Sequence, residues 1–521
     1  MNRNRLMWFV AGVAAVAVAL GVGEPMAGLL DGSSIIVAVG ALVISLQPPG
    51  GKDLMVELFG TNDKLALEIM IGVGGMLVGG LLGVVAQRDM RSAVAGFLGI
   101  AAIGYVLMLQ DPLTTPVSAA VSVVPAAIGG LLALGWLGRL IERTETAPEA
   151  GEHDDAAPAS VAPWSAPPIA RRSFLAIGAV FVAAGSFLAV IGRLLGSQVS
   201  TLGPPIAIPS AGETLPPAPD AADFDIAGLS PIVVPNEDFY RIDTRLTIPN
   251  LDSSTWSLRV HGMVENEVTL SYADMLAMPL YERYVTIACV SNEVGGGLVG
   301  NAKWKGVALV SVLDRAGVAP GATQVVGRSF DGWTSGFPTE HLSGAGSEAM
   351  IAVEMNGEPL PASHGFPARL IVPGLYGYVS ATKWLTEIEM TTLEAFDAYW
   401  VPLGWAKQAP ILTQSRIDLP RNGASVAAGA VTVAGVAWAP TRGISRVEVQ
   451  LDEGAWQAAE LSQPLSNYAW VQWRVALDVP AGSHMLSVRA TDGTGETQTA
   501  ERTRPAPDGA RGYHQIRIAA A

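Results

Sequence analysis

Cysteine occurs once in 521 residues, at Cys289, and histidine six times. A single thiol cannot form an internal disulfide, and a zinc site built from several thiolates is excluded. Charge is also scarce. Only 15% of residues are Asp, Glu, Lys or Arg, while 50% are hydrophobic, a balance that points to a membrane portion. The net charge of −15 argues against a nucleic-acid partner, because a phosphate backbone needs a basic face.

What is present is unevenly distributed. The apolar residues concentrate before position 196. Residues 7–30 follow Arg3 and Arg5 and are long enough to cross about 30 Å of hydrocarbon. Residues 65–87, 93–109, 117–141 and 174–195 are further spans, whereas 34–46 are too few to cross and fit an interfacial piece. With five crossings and a cytoplasmic start, Arg88, Arg91, Arg139, Arg143, Arg171 and Arg172 all fall inside, and the outer loop 111–116 carries no basic residue. A sixth crossing at 34–46 would invert the later assignments and break the rule. The expectation is a multi-pass protein of the cell membrane with everything after residue 195 on the extracytoplasmic side.

No span contains histidine, which excludes a bis-histidine haem in the bilayer. The spans show no pattern of Lys, Asp or Glu suggesting an ion path, so the membrane part reads as an anchor or a docking surface rather than a transporter. Ala170-Arg171-Arg172-Ser173-Phe174-Leu175 resembles a twin-arginine export signal, a route that carries folded, cofactor-loaded proteins. Two ordinary positive-inside arginines are the alternative.

These features divide the chain into a membrane anchor at 1–195, with a cytoplasmic linker at 142–172, and an extended Pro/Ala-rich tether at 196–230. Residues 231–410 mix short β-type runs with short helices at 271–278 and 309–316, an α+β pattern. Residues 411–521 alternate apolar and polar residues at 431–438, 444–451, 470–477 and 484–491, the spacing of an all-β sandwich. Trp438, Trp456 and Trp473 are expected in its core. The whole is multi-domain: an all-α transmembrane bundle, an α+β domain and an all-β domain.

The one cysteine ends the β-type run 284–288 and precedes the glycine-rich stretch Gly295-Gly296-Gly297, where the backbone can approach a ligand closely. By itself a lone cysteine is ordinarily a small buried hydrophobe. His364, taken alone, is as well read as a turn or core histidine, and Arg369 and Lys383 as ion-pair residues, although their apolar strand setting argues against solvated placement. Three ordered stretches change the reading. Pro235-Asn236-Glu237-Asp238-Phe239-Tyr240-Arg241 comes first, then Cys289-Val290-Ser291-Asn292 with Gly300-Asn301-Ala302-Lys303-Trp304-Lys305-Gly306. Last come His364-Gly365-Phe366-Pro367-Ala368-Arg369 and Ser380-Ala381-Thr382-Lys383-Trp384. Together they resemble the sulfite oxidase family of molybdopterin-dependent oxidoreductases, from about residue 231 to the C-terminus.

The resemblance implies a cofactor of molybdenum and molybdopterin, with Cys289 as the protein's soft thiolate on the metal. It places Asn236, Phe239, Tyr240, Asn292, Asp331, His364, Arg369, Ser380, Thr382 and Lys383 around the pterin, and Arg241 and Tyr399 beside Cys289 at the reacting centre. For the terminal phosphate, Arg369 offers a planar fork and Lys383 a point charge. It implies that 411–521 is an immunoglobulin-like domain through which two copies associate. The expected chemistry is oxygen-atom transfer on a small sulfur- or nitrogen-containing substrate. A separate electron-transfer protein is expected, because no haem-binding segment is evident. Sulfite-oxidising members commonly carry an arginine just after the asparagine at 292; here Glu293 stands there, and Arg241 beside a glutamate is a poor clamp for sulfite. The contrasting reading is a non-catalytic binding or assembly module on a retained fold, against which the intact Cys289 and its phosphate-binding set speak.

Overall fold

Long runs of apolar residues satisfy their own backbone groups best as helices. The computed structural model describes residues 3–30, 32–46, 55, 58–59, 62–145, 171–199, 207–344 and 346–521. The linker core 147–169 and part of the tether, 200–206, lie outside the described residues. Among the described residues six helices are delimited in the N-terminal region: α1 (Arg3–Leu29), α2 (Ile35–Ser45), α3 (Asp63–Ala86), α4 (Met90–Met108), α5 (Pro116–Glu145) and α6 (Arg171–Val199). All but α2 are long and apolar enough to cross a membrane. The 11 residues of α2 reach only about 17 Å, roughly half the hydrocarbon thickness.

Small residues bring these helices into close contact. A Cβ on Gly12 of α1 would lie 2.0 Å from Gly79 O of α3, and one on Gly185 of α6 would lie 2.2 Å from Ala17 O of α1. Backbone-to-backbone approach of this kind is how helices pack where no water drives them together.

One expectation is corrected here. Charges do pair among the long helices: Arg193 of α6 lies 3.5 Å from Glu24 of α1 and also pairs with Glu68 of α3. The three residues are far apart in sequence, so no local pattern announces them; only the packing of α1, α3 and α6 brings them together. The helical unit also takes in Arg245–Asn250 from much later in the chain. Arg245 Nη2 meets Asp111 Oδ2 at 2.7 Å, and Lys64 Nζ donates to Arg245 O at 2.7 Å.

The second unit comprises Pro204–Thr244 and Leu251–Ala521. Its first sheet runs Leu280–Ala288, Val299–Ala308, Met350–Met355 and Glu358–Pro359, with Arg369–Ile371 also paired to Met350–Met355. Its second runs Val268–Ser271, Ser257–Gly262, Leu385–Thr391, Gln324–Ser329 and Thr334–Pro338, the pair Ser257–Gly262 with Leu385–Thr391 being parallel. Short helices Tyr272–Leu276 and Leu309–Ala316 fall where the sequence predicts them. A capping box between Ser271 and Asp274 starts the first, and left-handed Gly317 ends the second.

Beyond residue 411 two more sheets share one core, which includes Val433, Val449, Trp473, Val488 and Ile516. Trp438 and Trp470 instead join the core of the preceding region. Trp470 Nε1 donates to Ile232 O at 2.9 Å and its N–H to Thr286 Oγ1 at 2.8 Å. Trp456 departs from expectation: it is half-buried, lies under the Arg489 guanidinium at 4.2 Å and packs edge-on to Tyr513. Its strand neighbours are too short and peripheral to carry it inward.

Gly306 tests the first sheet. A Cβ there would lie 2.2 Å from Ile351 O, in backbone that cannot give way. Gly306→Ala is expected to cost about 1–3 kcal/mol of unfolding free energy, read by chemical denaturation.

Candidate active site

Four segments converge. The strand Leu280–Ala288 delivers Cys289 at its end, partly exposed, with Ser291 Oγ 2.9 Å from Sγ. The irregular stretch 235–243 contributes Tyr240, Arg241 and Asp243. Phe239 anchors that stretch by stacking on Tyr240 and standing edge-on to Trp304 and His364. The turn Ala362–His364 and the strand Arg369–Ile371 bring His364 and Arg369. Lys383 follows the short helix Gly377–Ser380. Gly365, at φ +114°, lets this turn lie against Lys383, where a Cβ would be 2.9 Å from the lysine Cα.

The result is positive charge taken out of water. Arg369 and Lys383 are 3% and 8% exposed. Arg241 and Lys383 share one carboxylate, that of Asp243, whose Oδ2 accepts from Arg241 Nε at 2.9 Å and Lys383 Nζ at 3.1 Å. Arg369 Nη1 donates to His364 O at 3.0 Å, and its guanidinium lies over the Trp304 ring at 5.1 Å. Burial lowers Lys383 to about 8 and Arg369 to about 10. Burial, then the charge of Arg369, lowers His364 to about 4, so its imidazole is neutral at pH 7. Burial, then the neighbouring Cys289, raises the Tyr240 phenol far above its ordinary value, and Tyr376 is raised to about 12 mainly by burial.

Two buried atoms of this cluster lack partners among the described residues, His364 Nδ1 and Arg369 Nε. His364 Nε2 lies 2.9 Å from Asn236 O, which can only accept, so Nε2 carries the proton and Nδ1 is left as an acceptor. An unused acceptor, an unused guanidinium donor and surplus positive charge fit a ligand that has both an N–H edge and an anionic group. A phosphate-bearing pterin is such a ligand, and the soft thiolate of Cys289 suits molybdenum.

The expected site residues divide in the structure. Cys289, Tyr240, Arg241, His364, Arg369 and Lys383 come together, with Phe239 behind them. Asn236 turns its side chain to Met355 O and Asn356, and contributes its carbonyl to His364. Asn292 Oδ1 accepts from Leu298 N at 2.8 Å and shapes the loop after Cys289. The Ser380 hydroxyl donates to Leu375 O and Tyr376 O, and Thr382 Oγ1 pairs with Ser335 Oγ, so both side chains are spent on the protein itself.

Asp331 sits in the turn after Gln324–Ser329, bonded to Trp333 N. Its charge, after burial, raises the Tyr399 phenol, so these two neighbour each other. No contact of the described residues joins either to Cys289. Residues that sequence reasoning missed are Asp243, two positions after Arg241, and Trp304, Ser291 and Tyr376. Asp243 alone had a local signal, an acid close behind an arginine.

Residues 245–400 match the family model described as "oxidoreductase molybdopterin binding domain", and 408–519 match the "Mo-co oxidoreductase dimerisation domain". Human mitochondrial sulfite oxidase is 33% identical over 304 residues, 49% of this chain and 55% of that protein. Chicken sulfite oxidase is 30% identical over 314 residues, 51% of this chain and 68% of the relative. An uncharacterised oxidoreductase of Bacillus subtilis (strain 168), YuiH, is 36% identical over 154 residues, 30% of this chain and 74% of the relative. The chain spans little more than half the length of the human protein it matches.

Lys383 supplies a test of the cation cluster. Below about pH 8 its ammonium is charged and available to an anion; above that pH the charge is lost. The affinity of metal-free protein for inorganic pyrophosphate, followed by calorimetric titration, is expected to fall as pH rises through and above about 8. Lys383→Arg should flatten that fall, since a guanidinium stays charged.

Proposed function

The chain belongs to the sulfite oxidase family of molybdopterin-dependent oxidoreductases, and from that premise we propose a membrane-anchored enzyme with its site on the extracytoplasmic side. It transfers an oxygen atom to or from a small sulfur- or nitrogen-containing substrate. The observation that carries this reading is the buried cation cluster with unpartnered His364 Nδ1 and Arg369 Nε, set beside the one cysteine. The bound molybdenum cofactor supplies the oxygen-atom transfer and the exchange of two electrons.

The chain's own residues hold and tune that group. Cys289 Sγ would be the metal ligand, and the Ser291 hydroxyl 2.9 Å away is placed to donate to it. Arg369 and Lys383 would take the phosphate. Neutral His364 would offer Nδ1 as an acceptor to the pterin. Tyr240 keeps its proton across the physiological range, so it acts as a hydrogen-bond donor and not as a base. Arg241, whose side chain is 34% exposed, is the cation open to substrate, and Asp243 already shares it. With exposed Glu293 on the following loop, this favours an S-oxide or N-oxide over sulfite. Asn236, Asn292, Asp331, Ser380, Thr382 and Tyr399 take supporting places at the pterin or the substrate mouth.

Five apolar helices support the anchor. Lys64 and Asp111 lie at the helix ends opposite the arginine-rich ends, and the later segment Arg245–Asn250 joins the helices there. This favours an outward-facing site. The match of 408–519 to a dimerisation domain favours a homodimer, with an immunoglobulin-like arrangement of its two sheets, and electrons pass to or from a separate protein.

Elemental analysis of the purified full chain tests the enzyme reading. The wild type is expected to hold about one molybdenum per chain and Cys289→Ala to lose the metal or its activity. No metal in correctly folded wild type, made in a host supplying the pterin, would sink it. Sidedness is read in Cys289→Ala with a membrane-impermeant maleimide on intact cells: Pro112→Cys is expected to label and Gln87→Cys is not.

A further inference from the structure

The loop after Cys289 closes on itself at its base. Cys289 N donates to Leu298 O at 2.9 Å, and Asn292 N to Cys289 O at 3.1 Å. Its crown, Gly295-Gly296-Gly297, has no side chains with which to hold itself. Glycine is required there: Gly295 has φ +81° and a Cβ would meet the His514 ring at 2.2 Å, while one on Gly296 would lie 2.6 Å from Asn292 Oδ1. A glycine run left free would sample many backbone states.

Within the loop Gly296 N donates to Glu293 O and Leu298 N to Asn292 Oδ1, both at 2.8 Å; a further hold, on the carbonyl of Gly296, comes from the all-β region. Arg416, on the strand Gln414–Leu419, donates through Nη1 to Gly296 O at 2.8 Å, through Nη2 to Ser230 Oγ at 2.7 Å and through Nε to Asp418 Oδ1 at 2.6 Å. Asp418 Oδ2 accepts from Ser230 N at 3.1 Å. Each guanidinium nitrogen therefore serves a different segment. The arginine and aspartate are 12% and 9% exposed, so these charge-assisted bonds are largely shielded from water. On the other flank the His514 ring, whose Nδ1 accepts from Ile417 N at 2.9 Å, lies against Gly295. The loop starts at Ser291, whose hydroxyl touches Sγ, so where the crown sits governs how Cys289 is approached.

We propose that Arg416 is a positioning residue of the active site: with His514 it clasps the Gly295–Gly297 crown and sets how open the Cys289 centre is to substrate. The inference rests on the reading of Cys289 as the heart of that site. It makes the all-β region a wall of the site as well as a surface for association.

Since Cys289 is the only thiol, its reaction with a small uncharged maleimide reports the loop in full-length metal-free protein, with no substrate or metal needed. Arg416→Met is expected to unfold at a lower midpoint, since Asp418 loses its partner, and, under conditions where both proteins are folded, to label about tenfold faster than wild type or more. Arg416→Lys, which can satisfy Gly296 O but not all three partners, should label at an intermediate rate. In molybdenum-loaded protein, Arg416→Met should keep its metal but change the Mo(V) electron paramagnetic resonance line shape.

An unchanged labelling rate in folded Arg416→Met overturns the proposal. If that variant does not fold, Arg416→Lys decides: faster labelling than wild type supports the clasp, and an unchanged rate overturns it. Labelling needs no molybdenum, so its failure is distinct from failure of the enzyme reading.

Discussion

Surplus buried positive charge is the constraint on which the site depends. Removing an ion from water costs several kcal/mol even after relaxation, and one carboxylate cannot offset two buried cations fully. Asp243 bonds to Lys383 and Arg241, but Arg369 has only a carbonyl, an aromatic face and an unfilled Nε. The depressed Lys383 and Arg369 record the unpaid part of that cost, and an anion placed among them would reverse it. Burial, and after it the charge of Arg369, keeps His364 neutral. Burial and charge placement together thus set the protonation of His364 and Tyr240 before any ligand is considered.

Holding such a cluster together requires backbone that cannot relax away from it. Phe239 presses against Gly300, where a Cβ would be 2.7 Å from the ring. Trp384 is held at φ +49°, an unusual conformation for a bulky residue, with its indole N–H bonded to Ala362 O at 2.9 Å. That bond ties the Lys383 segment to the turn carrying His364. Trp470 and Ser466 add bonds from the all-β region to the strand that delivers Cys289, through Thr286 Oγ1 and Tyr284 O. The strand is fixed from both sides before the thiol emerges.

Much of this was legible in the sequence because it is local. Span lengths and arginine placement separate five long helices from the short α2 without any tertiary information. Cys289 at a strand end, and His364, Arg369 and Lys383 in ordered stretches, marked segments that converge in the structure. What escaped is tertiary. The charges of Glu24, Glu68 and Arg193 lie on three helices, each looking isolated in its own apolar run. Asn236 stood in the right segment, but its side chain serves the turn at 355–358, since a motif fixes a residue's place and not its rotamer. Trp456 carries the apolar area of a core residue, yet belongs to a short edge where Arg489 covers it. Arg416 reads as one more arginine on an alternating strand, because nothing near it in sequence refers to Gly296.

The charge that remains within reach of a substrate differs in kind from the charge that is buried. Arg369 and Lys383 are committed to the interior, and the half-exposed Arg241 already shares Asp243. An arriving dianion would gain one shared cation and face the carboxylate of Asp243, with the exposed Glu293 on the loop after Cys289. At close range these terms nearly cancel, because like charges oppose by as much as unlike charges attract. A neutral S–O or N–O group asks for less: one donor on the oxygen and a shape that passes the glycine crown. Arg241 and the permanently protonated Tyr240 can each supply that donor. On the proposed reading, discrimination between an oxyanion and an oxide therefore comes from how little free positive charge the mouth of the site retains, while the interior keeps its surplus for the cofactor.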